Sequence, residues 1–360
     1  MTTTPPTSTH PRTTGRPARI LLARSGRVSV AFRSRSLWVC AGLLVTTLVI
    51  AVLSLGTGDF VISPSNVLRT LFGDGATKDT FIIHTLRLPR LLTAVLVGIA
   101  LGIGGTLFQS LSRNPLGSPD IIGFNTGAAT GALFVILVFH GTANQTAVGS
   151  LIGGVATALL VYVLAITRGV HGYRLILVGI GVAAILTSVN AYLMTRAGLR
   201  DAQGAMVWLT GSLNGRSWEH VRPITLALVL LVPVALWLGR DLRFLELGDD
   251  TAGALGLKAE RTRLLAVLVG VGLTALATAS AGPIGFIALS APQVARRLTG
   301  VPGPNVVPSA LTGAVLLAAA DLAAQRIFAP TQLPVGVMTG AIGGVYLAWL
   351  LSREWRKRRG

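Results

Sequence analysis

Long apolar runs separated by short polar connections occupy most of the chain. Residues 37–55, 91–111, 148–166 and 221–238 each carry hardly a charge. Such runs, of roughly 17–25 residues, have the length a helix needs to cross ~30 Å of hydrocarbon. No water reaches that depth to satisfy backbone N–H and C=O groups, so these segments are expected to be helices. The pattern predicts ten of them, at about 37–55, 91–111, 121–139, 147–166, 174–194, 221–238, 264–281, 285–298, 308–326 and 335–351. The third is rich in glycine and alanine and the eighth is short. The expected fold class is an all-α polytopic membrane protein with ten transmembrane helices.

Composition agrees with that reading. The chain is 51% hydrophobic and 12% charged, with a mean hydropathy of +0.68. Residues 1–36, rich in Thr, Pro, Ser and Arg, read as a disordered basic cytosolic tail. Residues 37–352 form the transmembrane domain, with a cytosolic insertion near 240–263, and 353–360 form a second basic tail. A cleaved signal peptide fits poorly, because the first apolar run starts late and no small-residue cleavage site stands out.

The formal charge of +18 would suggest nucleic acid in a soluble protein. Here the basic residues gather in short connections and tails, where topology and anionic lipid account for them, so no nucleic-acid partner is expected. Most of the 31 Lys and Arg residues fall on the side that carries both ends, which places both termini in the cytosol of a multi-pass plasma-membrane protein.

Glycines such as Gly98, Gly102, Gly104 and Gly105 lie within spans, where small residues let helix backbones approach closely. Gly98, Gly102 and Gln109 are expected to face the core or a pathway, with Leu101 against packed neighbours or lipid. Pro115, Pro119, Pro283 and Pro292 are expected to interrupt or cap helices at membrane depth, which is tolerated where the backbone is buried in protein or lines a cavity. A faint internal echo links Pro119–Asp120–Ile121–Ile122–Gly123–Phe124 with Gly282–Pro283–Ile284–Gly285–Phe286.

The chemistry of an enzyme or a motor is missing. The chain has no G-x-x-x-x-G-K-[ST] phosphate loop, no H-E-x-x-H, and a single cysteine, Cys40. Its five histidines share no ligand spacing, so neither cofactor nor metal site is predicted. Asp321 is the one acid well inside a predicted span. It is expected to pair within the bundle, and it is also the residue that a proton- or sodium-coupled carrier would need. Between Arg240 and Arg263, acids and bases flank Leu247, Gly248, Ala254, Leu255 and Gly256, which suits a short amphipathic cytosolic helix ending near Gly256 and docking into a partner's groove.

Several of these segments, in order, resemble the permease subunit of iron–siderophore and cobalamin ABC importers, the FecCD/BtuC-like family. They are Arg87–Leu88–Pro89–Arg90, residues 98–109 followed by Asn114–Pro115–Leu116–Gly117–Ser118–Pro119–Asp120, Trp208–Leu209–Thr210–Gly211–Ser212–Leu213, residues 247–256, Gly282–Pro283–Ile284–Gly285–Phe286–Ile287–Ala288–Leu289, and Leu333–Pro334–Val335–Gly336. The resemblance covers nearly the whole chain after residue 36. It implies a type II ABC importer permease, paired with an identical or homologous second permease subunit. Two separate ATP-binding subunits would dock at Leu247, Gly248, Ala254, Leu255 and Gly256. An extracytoplasmic siderophore-binding protein would dock at Arg87 and Arg90, and the cargo would be a ferric siderophore. Four positions depart from the family pattern: Gln293 for a His, Gln332 for a Glu, Gln325 for an Arg, and Val345 for a Pro. Cobalamin or haem import and a secondary carrier using Asp321 are the alternative functions.

Overall fold

The computed structural model describes residues 20–25, 28–120, 122–165 and 172–359. Strands β1 (Ile20–Ser25) and β2 (Val28–Arg33) lead into helices α1 (Ser34–Gly56), α2 (Pro64–Leu71) and α3 (Thr77–Phe81). A π-helical turn (Ile82–Arg87) joins α3 to α4 (Leu88–Ser112), followed by α5 (Phe124–Leu137), α6 (Ala143–Ala165), α7 (Gly172–Arg196) and α8 (Leu199–Leu209). The remainder comprises α9 (Trp218–Glu246), α10 (Asp249–Ala254), α11 (Ala259–Ala281), α12 (Ile287–Thr299), α13 (Val306–Arg326) and α14 (Val335–Arg359).

Part of the expected disordered tail is ordered. β1 and β2 pair antiparallel, in register from Ile20 opposite Arg33 to Ser25 opposite Val28. The physical reason is the alternation of Val28, Val30 and Phe32 with Ser29, Ala31 and Arg33, a period of two that suits a strand. Residues 1–19 of that tail lie outside the described residues.

Every expected span contains a helix. Among the described residues, seven helices are long and apolar enough to cross a membrane: α1, the continuous Thr77–Ser112 rod, α6, Ile176–Arg196 of α7, α9, α11 and α13. α5 has 14 residues and α12 has 13. At 1.5 Å per residue each reaches only ~20 Å. In α14 the apolar stretch is Val335–Tyr346.

Irregular backbone accounts for the short helices. Residues 113–123 precede α5, with Arg113 and Gly123 at φ +48° and +89°. Residues 282–286 precede α12, with Gly282 and Phe286 at φ +77° and +69°. Gly117, Ser118, Pro119, Ile122, Gly282 and Ile284 are buried, so this backbone is sheltered by protein. Asn125 fastens the first break: its Nδ2 donates to Asp120, and its Oδ1 accepts from Thr278 Oγ1 of α11 at 3.2 Å. Pro292, expected to interrupt or cap a helix, sits inside α12. It supplies no N–H to the Ala288 carbonyl, and a Cβ on Gly105 would come within 1.8 Å of that oxygen.

α4 is the central post. Every residue from Ala100 to Leu111 is buried, and α9, α11, α12 and α13 pack around it. The Leu88 N–H bonds to the Ile83 carbonyl five residues back, the wide turn that accommodates Pro89 in the rod. On the α13 side a Cβ on Gly98 would lie 2.4 Å from the Gly313 carbonyl oxygen, and one on Gly102 2.3 Å from that of Ser309. Gly98→Leu should therefore destabilise the bundle by at least about 1–3 kcal/mol, the usual cost of overpacking. Gly42→Ala, inside α1 with open space around it, should not lower Tm and should raise it slightly, since Ala is the better helix former. Thermal unfolding of both variants in detergent checks the contrast.

Candidate functional site

At one end of the bundle α9 runs on to Glu246, so residues 240–246 extend the span helix rather than belonging to a loop. Gly248, at φ +115°, then breaks the chain and α10 follows. Its last turn closes through Leu257 N–H to the Ala252 carbonyl at 3.0 Å, and Gly256 turns the chain at φ +81°. Ala252 is fully buried while Leu247 and Leu255 are 65% and 61% exposed. The expected short helix with a stop at Gly256 is present, and it shows two apolar side chains on a charged end of the molecule.

Three polar contacts tie this element to the bundle. Asp249 Oδ1 accepts from Arg263 Nη2 of α11 at 2.6 Å and also from Arg113 at the end of α4. One turn earlier, Glu246 Oε1 accepts from Ser110 Oγ at 2.8 Å. The Arg263 hydrogen bond, reinforced by the Arg263 and Arg113 charges, holds the Asp249 carboxyl below the usual carboxylate range. A depressed carboxylate contributes its stabilisation above its unfolded pKa of ~3.9 and loses it only as pH falls through the lower folded value. The contact therefore persists throughout the neutral and mildly acidic range. Sequence reasoning missed Arg113 and Arg263 as its partners.

At the opposite end Arg87 and Arg90 both make contacts within the fold. Arg87 donates to the Leu55 and Phe60 carbonyls, each at 2.6 Å. Arg90 forms a bidentate pair with Asp321, at 3.0 Å from Nε to Oδ2 and 2.8 Å from Nη2 to Oδ1. Its Nη1 reaches Gln332 Oε1 at 2.8 Å, and Gln325 Nε2 donates to Asp321 at 2.8 Å. Both guanidinium groups remain partly exposed while donating to carbonyls and a carboxylate that need donors. The Asp321 side chain is 3% exposed and partnered on two sides, as a residue pairing within the bundle should be.

Between the two ends, Gly98 and Gly102 seat α4 against α13, and Leu101 is buried among packed neighbours. Gln109 is also buried: its Nε2 donates to the Leu289 carbonyl at 3.0 Å, and its Oε1 accepts from Gln293 Nε2 at 2.6 Å. Protein backbone and side chains fill the space beside these residues, so they join helices α4, α12 and α13 within one subunit.

The sequence profile of the FecCD transport family matches residues 46–353. The chain belongs to the FecCD transport family. It is 48% identical to the ferric enterobactin transport system permease protein FepG of Escherichia coli (strain K12), over 90% of this chain and 99% of that one. It is 35% identical to the probable siderophore transport system permease protein YfhA of Bacillus subtilis (strain 168), over 91% of this chain and 98% of the relative. Among solved structures, a metal-chelate type ABC transporter in an inward-facing conformation superposes with a TM-score of 0.79 at 26% identity. That match covers 88% of this chain and 99% of the other. This FecCD-family chain is thus a multi-pass inner-membrane protein and a non-catalytic transport subunit.

The Arg90–Asp321 pair separates a structural role from a coupling role. Asp321→Ala should cost about 3–5 kcal/mol by stranding the buried guanidinium, whereas Arg90→Met with Asp321→Leu should recover most of that loss. Thermal unfolding of the single and double variants measures the difference.

Proposed function

We propose that this chain is the translocation subunit of an ATP-driven importer that carries a ferric siderophore across the cytoplasmic membrane, with hydrolysis supplied by a separate subunit. The observation that carries the reading is the 48% identity to a ferric enterobactin permease along 99% of its length. The sequence itself contains no phosphate loop, so the energy has to come from a partner. The partner set is a second permease subunit, identical or homologous, two ATP-binding subunits and an extracytoplasmic siderophore-binding protein, with the path between the two permeases.

In this reading the end with α10 is cytosolic and meets the ATPase. Leu247 and Leu255 offer apolar anchors, Ala254 allows close approach, and Gly248 and Gly256 set the angle at which α10 is presented. The binding protein docks at the α2, α3 and α8 end, whose shape Arg87 and Arg90 maintain. Gln293 is held by Gln109 and by the Pro115 carbonyl at 3.2 Å.

Co-reconstitution with the ATPase and binding protein should give uptake of ferric siderophore that requires ATP hydrolysis. Equal uptake driven by an ion gradient without the ATPase would overturn the assignment. Within that assay Gly256→Val should reduce uptake and ATPase association with near-normal membrane insertion, because a β-branched residue is strained at φ +81°. Pull-down of the ATPase from solubilised membranes reads the association directly.

A further inference from the structure

α10 is a helix of six residues, too short to be held by its own backbone. It lies between Gly248 and Gly256, both at positive φ, with no atom within 3.9 Å of a Cβ placed on the former and none within 4 Å for the latter. Those two positions are free to act as hinges. A push on exposed Leu255, which lies between the two hinges, would swing α10 as a flap unless contacts tied it to the bundle.

Asp249 is that tie. It opens α10 and joins it to two other elements at once, Arg263 on α11 and Arg113 at the end of α4. Arg113, at φ +48°, is the residue where α4 stops and the buried irregular segment leading to α5 begins. On the far side of Gly248, Glu246 holds Ser110 in the last turn of the same α4. The end of α4 is therefore gripped on both sides of one hinge. The other end of the irregular segment reaches Asp120, fastened by Asn125 to Thr278 of α11.

We propose that Asp249 is a positioning residue that carries displacement of α10 into the end of α4 and the irregular segment 113–120, coupling ATPase movement to the broken-helix region of the permease. This rests on the reading that α10 meets the ATPase, and it adds the path by which the movement travels. Removing Asp249 uncouples the two ends without detaching the motor.

The test uses the complete transporter in proteoliposomes, with permease, ATPase and binding protein present. Asp249→Ala should keep ATPase association and hydrolysis while chelate taken up per ATP falls about tenfold, a typical size for a coupling effect. A reversible check uses Arg113→Cys with Asp249→Cys in a Cys40→Ser background. Bridging the pair with a flexible bifunctional thiol reagent should raise uptake per ATP, and cleaving the bridge with reductant should lower it again in the same protein sample. The proposal is overturned if Asp249→Ala keeps the parental uptake per ATP, if it releases the ATPase, or if bridging changes nothing. The underlying reading fails separately, if Leu255→Asp leaves ATPase association intact.

Discussion

Where α4 crosses α13, the carbonyl oxygens of Gly313 and Ser309 sit against the α-carbons of Gly98 and Gly102, and no side chain fits between them. Lipid tails are as apolar as leucine, so helices in a bilayer gain little by hiding apolar surface from one another. They associate through close van der Waals packing and polar contacts. Both are concentrated on α4. Its glycines bring α13 and α12 to backbone contact, and the rest of its buried face is covered by α9 and α11. With this post fixed, the bundle can contain irregular backbone elsewhere without exposing it to hydrocarbon.

The two short helices depend on that shelter. α5 and α12 both start after an irregular segment that ends in a positive-φ residue, Gly123 in one case and Phe286 in the other. The Arg90 cluster closes the end of the bundle beyond them. The cluster pairs Arg90 with Asp321 and places a neutral amide on each ion, Gln332 on the guanidinium and Gln325 on the carboxylate.

Much of the architecture was legible in the chain. The apolar runs located a helix at each expected span, and the prolines at 115, 119 and 283 marked the places where helix gives way to irregular backbone. The reach of α5 and α12 was not legible, because hydropathy reports what contacts lipid and protein but not whether the backbone is coiled. The hairpin at β1 and β2 was hidden by a Thr-, Pro- and Arg-rich neighbourhood, although its alternating pattern was there to be read. At the α10 end, Gly248 and Gly256 disclosed the turn chemistry locally. The partners of Asp249 and Glu246 did not show, since Arg113 and Ser110 lie 136 positions away in the chain. Arg87 and Arg90 show the converse: an arginine at a helix entrance looks like surface charge until the carbonyls and the carboxylate that consume it are placed beside it.

In the proposed assembly the α10 end faces an ATPase and the opposite end does not. Site-specific photo-crosslinking in the assembled transporter tests this most directly. A photoreactive residue at Leu255, 61% exposed, should give an adduct with the ATPase subunit, and one at Val61, 79% exposed at the other end, should give none. An ATPase adduct from Val61, or its absence from Leu255 when the complex is intact, would contradict the assignment of sides and the route of energy into the bundle.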